Sequence, residues 1–276
     1  MSGEGTETAG PVLGWGSATA RRPPSLRWVE PFVLPAVLLG AWVATTSVVR
    51  LFSPSQLPGP RLVLGTLGEL VASGELQRHL AASVGRVALG FGTGALLGAA
   101  LATLVGLSRR AERLLEPTLQ ALRAIPSLAW VPFLLLWLGI GELPKVVLVA
   151  IGAFFPVYVN AAAGIRGVDR RLVEVGRLHG LCGARLARRI VLPAASPALL
   201  TGLRLGLNQA WLFLVAAELI AASRGLGFLL LDGQNSTRAD VMVVAIALLA
   251  LLGKLTDQGL RGVERRLLGW SDGFRA

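Results

Sequence analysis

Residues 169–193 read D-R-R-L-V-E-V-G-R-L-H-G-L-C-G-A-R-L-A-R-R-I-V-L-P, a polar, arginine-rich stretch in a chain that is otherwise strongly apolar. The spacing predicts a short helix, a glycine turn and a second helix. Leu172 to His179 is long enough for two helical turns, and Gly180 stands where a helix C-terminus accepts left-handed dihedrals. Gly176 and Gly180, four residues apart, are expected on one face, where missing side chains let another protein's backbone come close. Ala184 to Ile190 can restart the helix. Pro193 and Pro197 suit the first turn of a following helix better than any interior.

The whole chain of 276 residues is 53% hydrophobic with a mean hydropathy of +0.63, which excludes an ordinary soluble domain. Six apolar segments are expected to span a bilayer: 31–52, 83–107, 119–138, 146–165, 194–220 and about 241–255. Residues 1–27, rich in Gly, Ser, Thr and Pro, read as a disordered tail. The first apolar segment then serves as an uncleaved anchor, with Trp28 and Trp42 as interfacial residues. Residues 53–64 read as a surface excursion, 68–80 as an interfacial helix and 223–238 as a second polar excursion. The expected organisation is a tail (1–27), a six-helix membrane domain (28–260) containing the 166–193 loop, and a C-terminal tail (261–276).

The net charge of +11 could suggest nucleic acid, but the cations lie mostly between the apolar segments rather than on one soluble face. Assigned alternately to the two sides of six spans, seventeen basic residues fall with both termini and the 169–193 loop, and six fall opposite. Positive loops stay inside, so the termini and the loop are expected in the cytoplasm.

Gly90, Gly94 and Gly98 repeat every fourth residue and predict close helix packing rather than a nucleotide loop. Pro126 and Pro132 interrupt the third segment, as is tolerated beside a pathway. Asn208 and Gln209, about 17 Å along the fifth segment counted from Pro197, are the leading pathway candidates, followed by Asn160, Tyr158, Arg123 and Glu218. Helix-to-helix hydrogen bonds, or interfacial positions for Arg123 and Glu218, are the competing explanation. Cys182 is the only cysteine, and His79 and His179 come without a metal-ligand pattern. There is no G-x-x-x-x-G-K-[ST] phosphate loop, and no clustered carboxylates or Ser/His/Asp set, so neither ATP binding through that motif nor catalysis is expected.

Glu174, Gly176 and Gly180, nine further residues, then Ile190, Leu192 and Pro193 resemble the cytoplasmic loop E-A-A-x3-G-x9-I-x-L-P of permease subunits of bacterial ATP-binding-cassette importers. Val175 and Gly176 replace the two alanines, keeping the third position small. The stretches Arg123–Pro132, Leu136–Glu142, Phe154–Gly164 and Ala210–Leu219 resemble the nitrate, sulfonate and taurine branch. The resemblance implies an all-α, six-helix permease of the type I importer class. It also implies a homodimer, two cytoplasmic ATPase subunits that bind ATP and magnesium, and an extracytoplasmic binding protein. The loop would transmit ATPase movement, with Glu174 pairing with the partner, Arg170 or Arg177. A permease for a different solute, or an ATP-independent channel or secondary transporter, remains an alternative.

Overall fold

A computed structural model describes residues 30–49 and 51–269, and among these every regular element is helical. The expected tail of residues 1–27, Trp28 and Arg275 lie outside the described residues. In chain order the elements are α1 (Glu30–Val43), continued by a π-helical turn (Ala44–Val48), then α2 (Pro60–Ala72), α3 (Glu75–Leu107) and α4 (Arg109–Ala124). A 3-10 turn (Ser127–Trp130) leads into α5 (Val131–Leu138), followed by α6 (Glu142–Arg166) and α7 (Arg170–Leu178). Next come α8 (Gly183–Leu186), a π-helical turn (Ala187–Val191), α9 (Leu192–Ala221), α10 (Leu226–Asn235) and α11 (Ala239–Leu267).

Four unbroken helices are long and apolar enough to cross a membrane: Glu75–Leu107, Glu142–Arg166, Gly183–Ile220 and Ala239–Leu267. The third expected span is not one helix. α4 and the Ser127–Leu138 stretch meet at 89°, because Pro126 cannot donate a backbone bond and holds Ile125 extended at φ −74, ψ 125. The first expected span is a shorter apolar helix, Phe32–Val48.

Other boundaries move for local reasons. The expected interfacial helix 68–80 is divided at Gly74, whose φ of 74 ends α2 and starts α3. Arg109, between the second and third expected spans, starts α4, where the Ser108 hydroxyl accepts from the Ala111 N–H at 3.3 Å. The polar excursion 223–238 contains α10, and α11 runs on through Arg261 and Arg265. Pro193 falls in the first turn of α9, as expected, whereas Pro197 lies inside that helix. The helix is continuous from Gly183 to Ile220, and the wide turn at Ala187–Val191 comes just before the missing proline N–H.

α3, α6 and α9 form the central layer. The expected glycine stripe on α3 lies against α6: a Cβ at Gly98 would stand 2.8 Å from the Phe154 carbonyl oxygen, and one at Gly90 would stand 2.9 Å from that of Val146. α9 packs on α6 as closely: a Cβ at Gly206 would stand 3.0 Å from the Ala153 carbonyl oxygen. Both neighbours therefore approach α6 at backbone distance. Val149, Ala153, Ala210 and Leu214 fill the centre of this layer. A second cluster, with Val63, Leu76, Leu226 and Val244, joins α2, α3, α10 and α11. The Thr66 hydroxyl donates to Asp240 there at 2.6 Å.

Candidate coupling loop and translocation cavity

The loop folds as a helical hairpin against the ends of α6 and α9. Asp169 caps α7, its Oδ1 accepting from the Arg171 N–H at 2.9 Å. The helix then closes on two reverse bonds, Leu181 N–H to Gly176 O at 3.0 Å and Gly180 N–H to Arg177 O at 2.9 Å. This pair is the Schellman arrangement, and it requires the left-handed residue that Gly180 supplies at φ 74. Val168, Val173 and Leu192 cover Ile165, Val191 and Ala195, seating the hairpin on both spanning helices.

The two loop glycines have different surroundings. A Cβ at Gly176 would lie 2.6 Å from Leu186 and 3.2 Å from Ile190, whereas nothing stands within 4 Å of one at Gly180. Gly176 thus closes the loop on itself instead of sharing a face with Gly180, and Ile190 is its contact. Glu174 is exposed. It forms no ion pair with Arg170 or Arg177, which leaves the partner as its expected counterpart. Beside it, Leu172, Val175 and Leu178 are 47%, 51% and 86% exposed, an apolar edge unsuited to water. The sequence reading missed this edge, although the i, i+3 spacing of Leu172, Val175 and Leu178 was there to see.

Four of the six expected pathway residues come together. Arg123 from the last turn of α4, Asn160 from α6, and Asn208 and Gln209 from α9 line one cavity of about 350 Å³, with Phe155 and Leu205 among the apolar walls. Asn160 donates from Nδ2 to Pro156 O at 2.8 Å. Asn208 and Gln209 are exposed on the isolated chain. Tyr158 lies elsewhere, buried, with its hydroxyl donating to Glu116 on α4.

Glu218 is also apart from the cavity, and fully buried. It accepts from Arg86 Nη1 at 2.6 Å, from the Ser83 hydroxyl at 2.8 Å and from the Gly227 N–H at 2.8 Å. Arg86 reaches Glu142 at the start of α6 through two bonds of 2.6 and 2.7 Å, and Lys145 also meets Glu142, at 3.2 Å. Two cations thus meet two carboxylates where α3, α6, α9 and α10 converge. Sequence reasoning did not find this group. Its signal was Arg86, a lone charge inside an apolar span. At the other end of α6, Arg166 meets Glu112 at 3.0 Å.

A central layer of glycine-spaced helices, a broken span beside a polar cavity and a two-helix loop projecting from the layer define a membrane transport subunit of the type I importer permease fold. The fold is similar to that of a chain of the inward-facing MetNI methionine ABC transporter, with a TM-score of 0.61 at 20% identity, covering 71% of this chain and 97% of that one. Residues 94–269 match the family described as binding-protein-dependent transport system inner membrane component, and the chain belongs to that family. It is 40% identical over 271 residues to SsuC of Bacillus subtilis, named as an aliphatic sulfonates transport permease, covering 97% of this chain and 98% of the relative. The Escherichia coli protein of the same name is 43% identical over 254 residues, 91% of this chain and 96% of its own length.

Proposed function

We propose that this chain is the permease of an ATP-driven importer of small anionic solutes, with alkanesulfonates foremost and taurine and nitrate in the same class. The observation that carries the reading is the near end-to-end similarity to a sulfonate permease at 40% identity. The cavity chemistry supports it, since the lining includes Arg123 and three amides but no acidic residue. This chain contributes the pathway and no cofactor. ATP and magnesium are bound by two cytoplasmic ATPase subunits, and an extracytoplasmic binding protein delivers the solute.

The chain works as a homodimer in the cytoplasmic membrane with both termini inside. Asn208 and Gln209 support the pairing, because amides exposed on a spanning helix are costly against lipid and need a second subunit or water beside them. Closure of the ATPases moves the 169–193 hairpin. The continuous helix from Gly183 to Ile220 carries that movement past Asn208 to the opposite end. The pathway then alternates between inward- and outward-facing arrangements.

The experiment is uptake of a solute panel (ethanesulfonate, taurine, nitrate, bicarbonate and a neutral amino acid) by the complex purified with its ATPase and binding protein. Sulfonate, taurine or nitrate import supports the reading; import of only the amino acid overturns it.

A further inference from the structure

Arginines within spanning helices are expensive, and this chain pairs several of them with carboxylates. Arg86 meets Glu218, Arg166 meets Glu112, and Arg204 meets Asp257, at 2.6, 3.0 and 3.2 Å. Arg123 is placed differently. It ends α4 just before the 89° bend, and its cavity wall contains Asn160, Asn208 and Gln209 and no carboxylate. Asn208 lies about 24 Å along α9 from Leu192, near the middle of that helix. A cation beside it marks function when no counter-charge is built there.

We propose that these four residues form a transient oxoanion site in the pore, with the cargo itself serving as the counter-ion of Arg123. This inference rests on the anion-importer reading above. The guanidinium fork matches two oxygens of a sulfonate or nitrate. The Asn208 and Gln209 side-chain amides carry N–H donors for the remaining oxygen, and Asn160 keeps a second N–H beyond the one given to Pro156 O. At about 350 Å³ the cavity is within the range of small-molecule sites and holds a small solute with water. The site selects charge: a neutral solute of equal size leaves Arg123 without a partner, whereas an oxoanion satisfies it. Because the walls come from α4, α6 and α9, movement of α9 with the coupling loop separates the donors and releases the anion.

The test uses the complete complex in proteoliposomes, measuring ethanesulfonate imported per ATP hydrolysed for wild type, Arg123→Gln and Arg123→Lys. The expected result is at least a tenfold fall in that ratio for Arg123→Gln and a fall of less than threefold for Arg123→Lys. A purely structural role would lower transport and hydrolysis together and leave the ratio unchanged, which overturns the proposal. Asn208→Asp, nearly isosteric, supplies an internal carboxylate to compete with cargo. It is expected to lower the ratio by a similar factor, and it decides the matter if Arg123→Gln does not assemble. A wild-type ratio in an assembled Asn208→Asp complex likewise overturns the site. If the wild-type complex imports none of the anions, the anion-importer reading fails instead.

Discussion

Arg86 on α3 donates from Nη1 to Oε1 of Glu218 on α9 at 2.6 Å, with the two side chains 3% and 0% exposed. The pair joins helices whose residues lie 132 positions apart in sequence. Ser83 extends it to α10 by accepting from the Leu226 N–H at 2.8 Å. Removing Arg86 leaves the fully buried Glu218 without its cation, so Arg86→Ala is expected to destabilise the subunit by about 3–5 kcal/mol. Thermal unfolding of the detergent-purified complex checks this, and a wild-type midpoint would remove the pair from the account of stability.

Gly176 and Gly180 are expected to separate in their effects. Leu at Gly176 drives its Cβ into Leu186 and Ile190, opening the hairpin. The expected loss is at least tenfold in ATP-driven uptake with the spanning helices still folded. Helix content by circular dichroism, read beside uptake, distinguishes this from global unfolding.

At Gly180 the difficulty is backbone conformation, since φ is 74 and nothing crowds the position. Gly180→Val is expected to cost about 1–2 kcal/mol locally, while Gly180→Asn is tolerated because Asn visits left-handed dihedrals readily. Uptake by the two variants should rank Asn well above Val. Equal uptake would mean that the turn is not required.

Asn208 and Gln209 face a shared cavity with Arg123. Replacing both with Leu fills it with apolar volume and is expected to reduce the transport rate at least fivefold, measured in the reconstituted complex. An unchanged rate would place the pathway elsewhere.

Much of this was legible in the sequence because it depends on local chemistry. Gly180 at a helix end, the α3 glycines every fourth residue and the break at Pro126 each follow from backbone sterics, which act over a few residues. Arg123, Asn160, Asn208 and Gln209 were singled out by a different rule, that polar groups in apolar segments face something other than lipid, and they line one cavity. The misses depend on tertiary partners. Gly176 meets Leu186 across a turn, Glu218 meets Arg86 across the helix layer, and Tyr158 meets Glu116 on a helix that the sequence reading began ten residues too late. Pro197 misled for a related reason: it lies inside α9, which a π-helical turn at Ala187–Val191 joins to the loop, and hydropathy carries no trace of that geometry.

The most direct measurement is sulfonate uptake into proteoliposomes holding the permease, its ATPase and the binding protein, with ATP and magnesium or with ADP and magnesium enclosed on the ATPase side. Import through a loop-coupled permease predicts accumulation against a gradient only with ATP, abolished by Gly176→Leu. Accumulation or equilibration at the same rate with ADP would contradict ATP-coupled transport and favour a channel or secondary carrier.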